Sequence, residues 1–269
     1  MSIHKSAPDS VKPRLYHAPS SYFSMIARLA LTEAGIDHEQ VFVDILFRGS
    51  QQLPAYARLN PYMTVPTLVL PGRILDQSRD ILNVALSGPE REHSAEITSW
   101  IDLHYSYPIE ELTFGGFLAR HAVARAIIPA KIAATRRRLL RLAATHPDLA
   151  EVYKGRAAVF AKRESTFDPK LAVDLAKTRR EEAIGLLDRL ECQLADRRDV
   201  MVPPNYSTAD VVWTVFLARM AFAGMEEEIA GRPALMRYWQ AMKARPSFAA
   251  ADIWTRLHVG RLIRDILHG

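Results

Sequence analysis

The side chains able to do chemistry fall in a few short segments of this 269-residue chain. Ser20-Ser21-Tyr22-Phe23-Ser24 sets four hydroxyls in five residues, where an extended segment gives way to a helical one. A serine there most often caps the helix. Gln77-Ser78 opens another helical segment, whose exposed amides and dipole favour an anion; the same serine can equally be a plain N-cap. Trp100, His104, Tyr105, Tyr107 and Phe114 make the first long helical stretch of the second half aromatic. Residues at such spacing more often pack a core than line a pocket. His104 can act as an acid or base, but a lone histidine is more often a hydrogen-bonded structural group. Cys192 is the only cysteine. That excludes an intrachain disulfide, a multi-cysteine metal site and a C-x-x-C redox pair, and no metal site is expected. In Leu187-x-x-Leu190-Glu191-Cys192 the thiol reads as a small buried hydrophobe.

The elements that must position these groups follow from periodicity. Arg14 to His17 reads as a strand, and Ala18-Pro19-Ser20 as a turn. Ser24 to Ala34 is helical and stops at Gly35. His38 to Ile45 alternates as a second strand. Leu53 to Leu59 is a weak helix ended by Asn60-Pro61. Val65 to Leu70 is a third strand, Pro71-Gly72 a tight turn, Ile74-Leu75 a fourth strand, and Ser78 to Leu86 a helix. The order βαβαββα fits one compact α/β unit. Beyond Gly88 the helical period dominates. Helices are expected over Ser94 to Leu112, Ala130 to Thr145, Asp168 to Ala195, Thr208 to Ala223, Leu235 to Ala244 and Arg256 to Leu267. Ser207-Thr208-Ala209-Asp210 is a capping box. The fold class is therefore α/β plus all-α. We divide it as a flexible tail over 1–13, an α/β domain over 14–88 and an all-helical domain over 89–269, joined near Gly88-Pro89.

Composition sets the outer bounds. With 49% apolar and 24% charged residues, the chain is neither disordered nor low-complexity. The apolar run from Val211 to Ala218 is stopped by Arg219, short of a membrane span. Met1 to Lys12 has no hydrophobic signal core. One thiol suits a reducing, cytoplasmic setting. The formal net charge is +5, unevenly spread. Arg120 to Arg163 holds eleven Lys and Arg against two Asp and Glu, a net of +9, so the remainder carries −4.

Four motifs, in order along nearly the whole chain, resemble the glutathione S-transferase superfamily. Asn60-Pro61-Tyr62-Met63-Thr64-Val65-Pro66-Thr67-Leu68 is similar to its N-P-x-x-x-V-P-x-L signature. Leu75-Asp76-Gln77-Ser78-Arg79-Asp80-Ile81 is similar to L-x-[EQ]-S-x-x-I. Ser207 to Asp210 resembles the S-x-A-D box. Pro233-Ala234-Leu235 to Trp239, with Arg245-Pro246-Ser247-Phe248, resembles the closing P-x-L-x-x-W…R-P-x-F pattern. The long segment from Trp100 to Leu186, with Leu112-Thr113-Phe114-Gly115, resembles tetrachlorohydroquinone-dehalogenase-type bacterial members.

The resemblance implies a thioredoxin-like first domain that binds glutathione as cosubstrate, and a helical second domain for the other substrate. It implies a cis Val65-Pro66 bond, with Thr64, Val65 and Pro66 offering backbone to the cysteinyl amide. Gln77 and Ser78 would take the γ-glutamyl carboxylate. A hydroxyl between the first strand and first helix would favour the glutathione thiolate. Counting back from Arg28, which resembles the arginine of the family's first helix, the best match is Ser21; Tyr22, Ser20 and Ser24 lie close in register. Tyr105, Tyr107 and Phe114 are the expected substrate-pocket residues. Two positions depart from the family. Met63 stands where many members have glycine, which bears on the loop. Phe23 stands in the neighbourhood where reductive members carry cysteine, and this favours substitution or conjugation over reduction.

The expected function is thus a cytoplasmic, homodimeric glutathione transferase. It would act on a small apolar electrophile, aromatic or an ether or halide, in detoxification or aromatic degradation. The competing expectation is a non-catalytic binding or structural protein of the same fold. No nucleic-acid motif is present, and no integral membrane association is expected. The basic helix around Arg136, Arg137, Arg138 and Arg141, in the extended segment near 115–165, reads as a solvated face, an anionic-substrate or membrane face, or a nucleic-acid face.

Overall fold

The computed structural model describes residues 12–86, 94–258 and Gly260. The Gly88-Pro89 junction, most of the expected tail and most of the expected last helix lie outside them. By internal contacts the chain forms two compact units. One comprises residues 1–51, 64–106 and 187–269; the other comprises 52–63 and 107–186.

The first unit contains a four-stranded sheet. Its strands are β1 (Arg14–His17), β2 (Glu39–Phe42), β3 (Thr67–Leu70) and β4 (Arg73–Leu75), in the order β2-β1-β3-β4. β1 and β2 are parallel, with Tyr16 opposite Val41. Such a pair needs a crossover, supplied by α1 (Tyr22–Glu33). β3 runs antiparallel to both neighbours, with Leu68 opposite Leu15 and Leu75. Gly72, at φ +70, makes the turn between β3 and β4 that an L side chain would strain. The sheet expected from sequence is present, with β2 shorter than His38 to Ile45 and β3 starting after Pro66. Proline has no N–H for a ladder.

α1 buries Met25, Ile26 and Leu29. It packs on α3 (Ser78–Ala85) and α9 (Thr208–Phe222), and α9 packs on α4 (Ala95–Ser106). Every residue of α9 from Thr208 to Ala221 is buried. A helix apolar all round shows no amphipathic stripe, and its start is marked instead by the capping box of Ser207 and Asp210. α11 (Pro233–Ala244) and α12 (Pro246–Ala250) follow. Arg28 ties this region to α1: Nε donates to the Ala251 carbonyl at 2.7 Å and Nη2 to that of Asp252 at 2.8 Å.

The second unit is helical. It contains α2 (Pro54–Leu59), α5 (Ile109–Arg120), α6 (Ala122–Thr145), α7 (Ala150–Thr166) and the first part of α8 (Ala172–Gln193). Its core includes Leu118, Leu139, Tyr153, Phe160 and Phe167. The expected helix from Ser94 to Leu112 is two helices, because a residue before proline avoids the helical region and Pro108 stands at the break. The expected start at Ala130 is too late. α6 begins at Ala122 and runs through Pro129, which removes a single N–H. α7 has no counterpart in the sequence reading. Among the described residues no strand follows β4, so an α/β part is succeeded by helices, as expected.

Candidate functional site

The turn before α1 sorts the four hydroxyls by direction. Ser21 donates its amide to the Ala18 carbonyl at 3.0 Å and takes the N-cap position, in extended backbone. Its Oγ accepts from the Ser24 amide at 3.3 Å. It is half-buried, and having accepted that bond it still carries a hydrogen to donate. Ser20 is also half-buried, and its carbonyl accepts from Arg219 Nη2 at 3.1 Å. The other two turn inward. Ser24 is fully buried, its Oγ accepting from the Ala18 amide at 3.4 Å. The Tyr22 hydroxyl meets His104 Nε2 at 2.5 Å in a buried pair. The expectation left four groups open; two of them, Ser20 and Ser21, reach the surface.

His104 is held where it cannot take a charge. Burial lowers its pKa to about 3, so the ring is neutral. Nδ1 has no partner. The ring stands edge-on to Trp213 and Tyr105. Its use as a hydrogen-bonded structural residue, the commoner role weighed above, matches this setting.

The second piece of the site precedes β3. The Val65-Pro66 bond is cis. The β1–β3 ladder starts at Thr67, so the Val65 backbone lies outside it. Pro203-Pro204 is also cis, which the sequence did not suggest. Met63 adopts φ +50, the left-handed region that favours glycine. Its side chain is fully buried in the second unit's core, and that burial offsets the backbone cost.

The third piece is the start of α3. Its N-cap, Gln77, makes no side-chain capping bond, so the first amides are left for another acceptor. Ser78 is buried, and its Oγ lies 3.1 Å from the Tyr105 hydroxyl. Burial pushes Tyr105 up to about 12, so it stays protonated. Arg79 sits over the Tyr105 ring at 5.7 Å and pairs with Asp102 at 2.5 Å. Phe23 stacks on Tyr105, with ring centroids 6.3 Å apart and planes 8° from parallel. Of the expected pocket residues, Tyr105 therefore joins Phe23 and Ser78. Tyr107 and Phe114 belong to the second unit. There the Tyr107 hydroxyl donates to the Arg179 carbonyl at 2.6 Å, and Phe114 packs edge-on against Phe167. Trp100 accepts at its carbonyl from Trp213 Nε1 at 3.2 Å.

One expectation is corrected. Cys192 is exposed, not buried. Ala183, Leu187 and Leu190 form the buried stripe of α8, and Cys192, two residues beyond Leu190, falls on the opposite side of a 3.6-residue period. The sequence reading also passed over Arg219 as a group in its own right. Its signal was a single charge ending an apolar run, which inside a helix marks a buried cation. Among the described residues no group of His, Cys, Asp or Glu could hold a metal ion, and no helix is long and apolar enough to cross a membrane.

Comparison with known proteins agrees with these features. Residues 15–91 match the family model described as glutathione S-transferase, N-terminal domain. Over 251 residues the chain is 32% identical to the tetrachloro-p-hydroquinone reductive dehalogenase of Sphingobium chlorophenolicum, covering 89% of this chain and 95% of that one. It is 28% identical over 251 residues to glutathione S-transferase TCHQD of Arabidopsis thaliana, covering 87% of each. Among solved structures, the beta-etherase LigF of Sphingobium sp. strain SYK-6 superposes with a TM-score of 0.65 at 19% identity, over 90% of this chain and 98% of that one.

Proposed function

The chain belongs to the glutathione S-transferase superfamily, and from that premise we propose that it is a glutathione transferase whose Ser21 favours the cosubstrate's thiolate. The observation that carries this is the direction of the Ser21 hydroxyl. Its oxygen is engaged by the Ser24 amide, its hydrogen is left to donate, and Tyr22 and Ser24 are turned inward. A free thiol titrates near about 8.5. A donor held on the sulfur favours the anion, which is the nucleophile.

The remaining groups fit the rest of glutathione. The Val65 backbone, outside the ladder, is free to pair with the cysteinyl amide as an added strand would. Thr64 and the cis Pro66 flank it. The uncapped start of α3, with Gln77 and Ser78, suits the γ-glutamyl carboxylate. The thiolate then attacks an electrophilic carbon of an apolar substrate. The carbon–sulfur bond forms, the carbon–halogen or carbon–oxygen bond breaks, and the leaving group departs with the electron pair. The thiol proton goes to solvent.

Substitution or conjugation is favoured over reduction. Removing glutathione from a carbon reductively needs a second thiol to take the glutathionyl sulfur. Here Phe23 occupies the neighbourhood expected for that thiol and is stacked on Tyr105. The relative named as a reductive dehalogenase makes this contrast testable. The other substrate would be an aryl halide, aryl ether or similar apolar electrophile, with Tyr105, Tyr107 and Phe114 as the aromatic residues to examine. A homodimer in the cytoplasm, serving detoxification or aromatic degradation, completes the proposal.

Ser21→Ala tests it. With glutathione bound, we expect the thiol pKa to rise by about one to two pH units relative to wild type, with glutathione affinity changed little. The measurement is thiolate absorbance against pH. An unchanged thiol pKa in the Ala variant would move the role to Ser20. A panel of aryl halides, ethers, epoxides and enones then identifies the electrophile. A protein that binds glutathione yet turns over none of them is the non-catalytic binder instead.

A further inference from the structure

Arg219 carries the one cation of α9, whose only other charged residue, Asp210, is taken up by the capping box at the helix's start. α9 buries it along with its neighbours. Its guanidinium lies over the Tyr22 ring at 5.5 Å and the Phe222 ring at 4.6 Å. Nη2 donates to the Ser20 carbonyl, and Nε has no partner. Burial lowers its pKa to about 10, which leaves it charged at neutral pH.

No carboxylate among the described residues pairs with it. The titratable groups beside it are Tyr22 of α1 and, through Tyr22, His104 of α4, which is neutral. No acid of α11 or of the short helix α10 (Glu226–Ala230) pairs with it. A buried cation with nothing to balance it is strongly disfavoured. It is tolerated where a bound anion balances it, and such groups cluster at functional sites.

Arg28 grips the same turn differently. It donates to the Pro19 carbonyl at 3.1 Å, and its remaining N–H groups reach the Ala251 and Asp252 carbonyls and His17. Arg219 makes its one hydrogen bond to the turn at Ser20, one peptide unit from Ser21.

We propose that Arg219 is a positioning residue for the thiolate: it fixes the Ser20 carbonyl, and so the aim of the Ser21 hydroxyl, and its buried charge favours the anionic sulfur. This rests on the reading of Ser21 given above. An opposite charge within a few ångströms typically moves an acid by about one to three pH units. Through the Ser20 peptide the guanidinium stands somewhat farther away, so about one unit is expected.

The experiment compares wild type, Arg219→Met and Arg219→Lys, each titrated with glutathione bound while thiolate absorbance is followed. Circular dichroism and thermal melts check folding. We expect Arg219→Met to raise the thiol pKa by about one unit, leaving roughly tenfold less thiolate below both pKa values. KM for glutathione should stay within about threefold. kcat on an activated aryl chloride should fall near neutral pH and recover at alkaline pH. Arg219→Lys, which keeps the charge, should hold the thiol close to the wild-type value. A folded Arg219→Met protein whose bound thiol titrates like wild type overturns the inference. Should that variant not fold, Arg219→Gln carries the same comparison. Wild type that binds no glutathione defeats the family-site reading itself. Wild type that binds it but lowers the thiol pKa only through Ser21, with every Arg219 variant unchanged, defeats the Arg219 inference alone.

Discussion

Acidification should destabilise the first unit through two histidines folded in their neutral form. His17 is buried; its pKa is lowered to about 3 by burial and by Arg28, whose Nη1 lies 3.1 Å from His17 Nδ1. His104 is lowered to about 3 by burial. An unfolded histidine titrates near about 6.5. Between these values the unfolded chain binds more protons than the folded one, so stability is fully present above about pH 6.5 and is lost as pH falls toward 3. At pH 5 each unfolded imidazole is largely protonated while each folded one is not, which costs about 2 kcal/mol per histidine. That figure is insensitive to the folded pKa as long as it stays well below 5. The pair should therefore cost about 4 kcal/mol between pH 7.5 and pH 5, a large share of a typical domain's stability. Urea melts at the two pH values, on wild type, His17→Asn and His104→Gln, measure it. Each variant should lose about 2 kcal/mol of the pH sensitivity, whatever it does to stability at pH 7.5. Carboxylates are common to all three proteins and cancel in the comparison. A variant with the wild-type pH dependence would show that its histidine is protonated in the folded state, refuting the argument.

Further outcomes follow from other sites. Asp210 accepts from the Met201 amide at 2.7 Å, the Ser207 amide at 2.8 Å, the Ser207 hydroxyl and the Tyr238 hydroxyl. Asp210→Ala strands these buried donors and should cost about 3–5 kcal/mol in a urea melt. Phe23→Cys should restore a thiol beside Ser21. Mass spectrometry after incubation with glutathione disulfide should find one more glutathionyl group on the variant than on wild type, whose Cys192 is itself exposed, and excess dithiothreitol should displace it. Reversing Arg137 and Arg141 to Glu should leave glutathione turnover and the melting temperature little changed, since both are exposed on α6. Vesicle co-sedimentation that wild type shows and this variant loses would instead assign the basic face to anionic lipid.

Much of this was legible in the chain because the signals were local. The Pro-Gly turn, the alternation around Val41 and the Ser207 box each report on neighbours within a few residues, and the structure places β4, β2 and the α9 cap there. The cis bond before Thr67 was legible through the motif around it. What local signals miss is partnership at long range. Nothing near Tyr22 says that its hydroxyl will meet His104, 82 residues on. Nothing near Arg219 says that it will reach Ser20. Cys192 was misplaced because its leucine neighbours set the buried stripe and the thiol falls off it. α7 was missed because its polar residues dilute the stripe that buries Tyr153, Ala157 and Phe160.

The compact division of the chain also has an optical consequence. All four tryptophans, Trp100, Trp213, Trp239 and Trp254, belong to the first unit, and Trp213 and Trp254 are almost wholly shielded from solvent. The second unit carries tyrosine and phenylalanine only. Emission excited at the red edge of indole absorbance therefore follows the first unit alone, while far-ultraviolet dichroism reports the helices of both units. A gap between the two unfolding curves would be the spectroscopic mark of the halves coming apart separately.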